Sequence, residues 1–193
     1  MRFVISLLFL VLIQPARACT LDVYQNMVSI IGEIEEGDSA AFALILDQHP
    51  DVNYVALFSP GGDYLEALRI GATIRTRGLT TTAPSSKFCD RPTWDGPPCR
   101  CDSACFFVWA AGTPRLGDKL RVHEPKIDDA DSAAMSPGER QRATQALINH
   151  AADYMTKVGV PPLIQIKVLT TPFDAPAALS LSEIAEMQRV PNE

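Results

Sequence analysis

Residues 57–78, "LFSPGGDYLEALRIGATIRTRG", start as an apolar strand, turn through Gly61 and Gly62, and run on as a helix. Leu65, Leu68, Ile70, Ala72 and Ile74 give that helix a broad apolar face, and Gly78 stands where a left-handed C-terminal cap belongs. A strand that passes through a tight turn into an amphipathic helix is the first half of a βαβ unit. The glycine pair has two readings. It is a turn and nothing more, or its N–H groups, free of neighbouring Cβ atoms, wait for something negative.

The flanking sequence repeats the alternation. "MVSIIGEI" (27–34) is rich in β-branched residues and predicts a strand, and Asp38 or Ser39 is placed to cap an apolar helix ending near His49. "VNYVALFS" (52–59) is almost continuously apolar, as suits a strand covered on both faces. "LTTTA" (79–83) is a third strand, a cysteine-rich loop fills 84–102, and "SACFFVWAAG" (103–112) predicts a short helix buried on all sides. "DKLRVHE" (118–124) is a fourth strand. After the acidic loop "PKIDDADSAAM" comes a long helix over 136–159, with Ser136 and Glu139 at capping-box spacing, Pro137 just inside its start and Gly159 closing it. "PPLIQIKVL" and "LSLSEIAEMQ" predict two shorter terminal helices. This order means an α/β domain with a largely parallel sheet.

The 193 residues carry a formal net charge of −6, without a Lys/Arg cluster or interleaved aromatics, which argues against a nucleic-acid partner. Residues 1–18 have the form of a secretory signal peptide: Arg2, an apolar run from Phe3 to Ile13, Pro15, and the triplet Ala16-Arg17-Ala18. The run is too short for an ordinary membrane span, and no later one is long enough. Cleavage after Ala18 leaves one domain, 19–193, in the periplasm or outside the cell. A lipid-anchored Cys19 is the alternative, but such signals usually carry Leu where this chain has Ala16.

All five cysteines lie beyond residue 18, so an exported chain predicts disulfides with one thiol left over. The expected bridges are Cys101–Cys105 and Cys89–Cys99, with Cys19 unpaired. Helical rise would set Cys101 and Cys105 about 6 Å apart, inside disulfide range. A zinc site of Cys99, Cys101, Cys105 and His123 is the weaker reading, since C-x-C-x3-C matches no common zinc pattern. No metal and no cofactor are expected.

Open α/β sheets place their sites at the carboxyl ends of strands. Gly61-Gly62, Ser103 and His123 all fall there. Ser103 opens an apolar helix, where an oxyanion is favoured; His123 is a histidine at a strand end, suited to activate a hydroxyl. The N–H groups of Gly61, Gly62 and Ala104 would form an oxyanion hole. Taken singly, a serine opening a helix is most often an N-cap, and Asp102 could take the cap in its place.

"GEIEEGDSAAFALILDQHPDVNYVALFSPGGDYLEALRIGATIRTRG" (32–78), "CDSACFFVWAAG" (101–112) and "LRVHEP" (120–125) resemble, in order, the motifs of Clp-type serine peptidases of the ClpP/crotonase superfamily, and most closely a periplasmic branch with "SPGG" and "C-x-SAC" signatures. The resemblance covers 28–125. It implies a spiral of βαβ units, Ser103 as nucleophile, His123 as base, and oxyanion N–H groups from Gly61 and Ala104. It also implies a triad aspartate, for which Asp174 is the candidate, with Glu183, Asp128 and Asp129 as substitutes. The expected activity is an exported serine hydrolase acting on peptide or polypeptide. The alternative is a non-catalytic member that binds peptide or assembles with a partner. No long segment resembles the ring-forming handle helix of that family, which argues against a double-ring barrel and leaves homo-oligomerisation open.

Overall fold

The computed structural model describes residues 19–127 and 129–189. The signal-like segment 1–18 and Asp128 therefore lie outside the described residues. The strands are β1 (Thr20–Tyr24), β2 (Met27–Ile31), β3 (Tyr54–Phe58), β4 (Thr80–Thr82), β5 (Cys101–Asp102), β6 (Arg115–Leu116), β7 (Leu120–Val122) and β8 (Ala177–Ala178). The helices are α1 (Asp38–Gln48), α2 (Tyr64–Arg77), α3 (Ser86–Cys89), α4 (Ala104–Ala110), α5 (Asp129–Ala134), α6 (Pro137–Lys157), α7 (Pro162–Thr170) and α8 (Leu181–Arg189).

The fold is α/β with a mostly parallel main sheet in the order β1-β2-β3-β4-β6, where only β1 is antiparallel. A second small sheet has the order β5-β7-β8. The sequence predicts one sheet; the structure has two, because the short strands β5 and β7 pair with each other and with β8, while β6 joins β4 in the main sheet. A parallel bridge between Ser59 and Cys101 stitches them together, with Ser59 N–H to Arg100 O at 2.9 Å and Asp102 N–H to Ser59 O at 3.1 Å.

One cluster of buried residues runs through both sheets. Val28, Ile30, Val55 and Leu57 supply the sheet side, Phe42 and Leu46 come from α1, and Ile70 and Ile74 from α2. Each such side chain contributes about 1.5–3 kcal/mol on leaving water. All seven residues of α4 are buried, as its composition predicts, and its carbonyls and indole are held by polar bonds: Thr81 Oγ1 donates to Trp109 O at 2.7 Å and Trp109 Nε1 to Leu116 O at 2.8 Å. Tyr154 Oη donates to Phe107 O at 2.9 Å and ties α6 to α4.

Most caps agree with the sequence. Gly78 ends α2 at φ 62°, and Ser136 and Glu139 form the capping box of α6; Asp63, not named from the sequence, accepts the Glu66 N–H at the start of α2. At α1 the expectation fails. Gly37, in a left-handed conformation, is the N-cap, and Asp38 is the first helical residue, almost wholly buried.

Candidate active site

Three strand ends converge on one cleft of about 1130 Å³, lined among others by Gly62, Ser103, His123, Phe173 and, from α6, Ala146 and Leu147. The register explains the meeting. β5 and β7 are parallel, with Asp102 opposite Arg121, and Ser103 N–H donates to Arg121 O at 3.0 Å. Ser103 thus leaves one strand beside the point where His123 leaves its neighbour.

Ser103 is not an N-cap in the ordinary sense. It precedes α4 with φ 56° and ψ −125°, and its hydroxyl makes no capping hydrogen bond. Apart from glycines, only Gln25 shares a positive φ among the described residues. Such a conformation costs of order 1–3 kcal/mol and persists where the surroundings impose it. The disulfide Cys101–Cys105, with Cα atoms 5.2 Å apart, spans the turn. Asp102 does not cap either: its carboxylate pairs with Arg100 at 2.9 Å.

The glycine pair behaves differently from the expectation at one atom. Gly61 N–H donates to Ser59 Oγ at 3.0 Å, so this amide is already occupied. Gly62, exposed at φ 127°, has an N–H with no hydrogen-bond partner among the described residues, as has Ala104 at the first position of α4. Gly61 has a steric role. A Cβ there would fall 2.6 Å from Ser103 Cβ and 2.9 Å from Ala104 N, so the two turns touch at a position only glycine fits.

His123 is buried, with 9% exposure, and its Nδ1 lies 2.7 Å from Glu124 O. A carbonyl oxygen only accepts, so Nδ1 carries the proton and Nε2 keeps its lone pair. The ring of Phe173 meets the imidazole edge-on at 4.6 Å. No hydrogen bond joins Ser103 to His123 among the described residues; such bonds are often long in unliganded sites.

Asp174 is not brought to His123. It is exposed, makes no hydrogen bond or ion pair among the described residues, and lines an adjoining hollow with Glu124 and Phe173. The Glu124 carbonyl takes the place on Nδ1 that the sequence assigns to Asp174. Glu183 is engaged elsewhere, with Lys167 at 2.8 Å and the Ser180 N–H at 2.6 Å. Partial burial works against its charge, but the bonds from Lys167 and Ser180 outweigh it and lower its pKa. Asp129 pairs with Lys126 at 2.6 Å.

Both expected disulfides are present, Cys89–Cys99 and Cys101–Cys105, and Cys19 is a buried free thiol. The zinc reading fails because three of its four ligands are oxidised. Among the described residues no group of His, Cys, Asp and Glu is placed to hold a metal, and no helix is long and apolar enough to cross a membrane. The sequence reading missed Ser59 as the acceptor for Gly61, the Glu124 carbonyl, and Phe173. Only Phe173, an aromatic beside the proposed Asp174, carried any signal. No protein-family model matches the chain, and no curated protein matches it.

Proposed function

We propose that the chain is an exported serine hydrolase of the Clp-like kind, acting on polypeptide in the periplasm or outside the cell. The observation that carries this is Ser103: an uncapped hydroxyl on a positive-φ turn, beside a histidine whose free nitrogen is Nε2 and an unpaired glycine N–H. The parallel βαβ order and the resemblance over 28–125 support the ClpP/crotonase-like spiral. The two disulfides and the signal-like first 18 residues support export.

In this reading Ser103 Oγ attacks a peptide carbonyl carbon while His123 Nε2 takes its proton. The carbonyl π bond breaks, and the resulting O⁻ accepts from the Gly62 and Ala104 N–H groups. Collapse expels the amine, which receives the proton from Nε2, and water then repeats the sequence on the acyl-enzyme. The Glu124 carbonyl fixes the ring's tautomer, and the imidazolium forms without a carboxylate on Nδ1.

The second reading is a non-catalytic binder of peptides, favoured by the missing hydrogen bond between Ser103 and His123. A fluorophosphonate probe separates the two. Labelling mapped to Ser103 and abolished in Ser103→Ala is expected; no labelling of folded protein that still binds peptide gives the second reading.

A further inference from the structure

Asp38 is a buried carboxylate without a cation. It is 4% exposed at the start of α1, and no Lys, Arg or His pairs with it among the described residues. Its Oδ2 accepts the Glu35 N–H at 2.8 Å and the Cys19 N–H at 3.4 Å. Buried carboxylates normally have a cation or a full set of donors, because an unpaired charge away from water is expensive. Register puts the Cys19 nitrogen there. Thr20 pairs with Ile31, so Cys19 falls opposite Gly32, where even a Cβ would already touch the Cys19 Cα at 3.7 Å.

We propose that cleavage of the Ala18–Cys19 bond supplies the missing cation: the new α-ammonium of Cys19 pairs with Asp38 and latches the processed chain. The cleavage is a hydrolysis by a signal-removing peptidase. Water's hydroxyl goes to the Ala18 carbonyl carbon and its hydrogen to the Cys19 nitrogen, which takes up a further proton from solvent, as an α-amine with a pKa near 8 does at neutral pH. An unprocessed chain has a neutral amide at this position, which donates a hydrogen bond to Asp38 but supplies no charge.

The latch reaches the cleft through one loop. Asp38 fastens Glu35; the neighbouring Ile34 gives its N–H to Gly61 O at 2.8 Å and accepts the Asp63 N–H at 2.7 Å, bracketing the glycine turn. Glu33, Ile34, Glu35 and Glu36 also line the cleft. The same geometry weighs against lipid attachment, because Cys19 is only 8% exposed and a thioether-linked lipid would have to pull it from its seat. The proposal does not depend on the hydrolase reading.

The test compares oxidised protein beginning at Cys19 with protein extended by Ala18 alone, each with Asp38 or with Asp38→Asn. With Asp38, the Cys19-first form is expected to melt roughly 5–15 °C higher than the extended form, and Asp38→Asn to erase the difference. Equal melting temperatures, or a difference that survives Asp38→Asn, overturn the latch. If Asp38→Asn does not fold, amide exchange at Ile34 and Glu35 decides on the native pair: about 10-fold faster exchange in the extended form supports it, equal rates overturn it. A mass for the exported protein that starts anywhere but Cys19 also overturns it.

Discussion

The cleft joins two turns, one from each sheet, that reach unusual backbone angles by different means. At the end of β3, Gly61 and Gly62 adopt φ 104° and 127°. Without Cβ atoms they do so at little steric cost. At the end of β5, Ser103 adopts φ 56° while keeping its side chain. Its support is external: the Cys101–Cys105 disulfide, the bond to Arg121 O, and the Phe106 N–H donated to Ser103 O at 2.9 Å. The glycine turn is relaxed and dispensable to no neighbour. The serine turn is strained where a glycine would not be. In the proposed reading that strain holds the Ser103 hydroxyl at the cleft.

Ser103→Gly tests this directly and has the largest expected effect. If Ser103 is the nucleophile proposed above, hydrolysis should fall by about 10³-fold or more. Stability should move the opposite way, rising by about 1 kcal/mol as the strain is relieved. A thermal melt beside an activity assay reads both signs. A less stable Ser103→Gly protein would break the comparison, because the serine would then be contributing to the fold.

Gly61→Ala attacks the other turn and should show the opposite pattern. The added methyl would meet Ser103 Cβ and Ala104 N well inside contact distance, and two of its three near neighbours are backbone atoms. A loss of roughly 3 kcal/mol is expected from overpacking on a positive-φ residue, with activity falling alongside as Ser103 is displaced. Unchanged melting would show that the turns do not touch.

The disulfides sharpen the contrast further. Chain-entropy arithmetic gives about 2 kcal/mol for closing Cys101–Cys105 and about 3 kcal/mol for the longer Cys89–Cys99 loop. Cys101→Ala/Cys105→Ala should nevertheless lower the rate about 10–100-fold, since small misplacements of a nucleophile are amplified. Cys89→Ala/Cys99→Ala, whose bridge does not span Ser103, should lower stability more and leave the rate within about twofold. Equal rate losses in the two pairs would mean that the bridge over Ser103 has no special role.

How far the sequence reached follows from what kind of interaction fixed each feature. Alternating strands and helices, the Gly78 cap, the capping box of α6, and the buried α4 depend on residue type at fixed spacing, and all were legible. β1 was not. Its Leu21 and Val23 pack inward while Thr20, Asp22 and Tyr24 are exposed, but only five residues alternate, and the Gln25-Asn26 turn lacks the glycine that usually signals a hairpin. β5, β6 and β8 have two residues each, too few for any period. At the site, residue types located Ser103 and His123 on one cleft. They could not reveal that Ser59 occupies the Gly61 amide or that a main-chain carbonyl meets His123, because every residue carries a carbonyl.

The smallest expected effects concern the carboxylates the sequence put forward. With Nδ1 held by the Glu124 carbonyl, Asp174→Asn should change the rate by less than about twofold, whereas a triad aspartate would cost up to ~10⁴-fold. Glu183→Gln should also spare the rate but weaken the fold. Glu183 accepts from Lys167 and from the Ser180 N–H at the start of α8, and these bonds hold its pKa below the usual 4.5 despite partial burial. A depressed carboxylate stabilises above its unfolded pKa and loses that contribution as pH falls through the folded value. Wild type should therefore be more stable than Glu183→Gln near neutral pH, by at most about 1 kcal/mol after solvent screening, and the two should converge as pH falls below the usual carboxylate range. Melts of both proteins across that range measure the convergence. A large rate loss in Asp174→Asn would place a carboxylate on His123 during turnover and require the ring to leave Glu124, making the serine turn the one part of the site already in its working position.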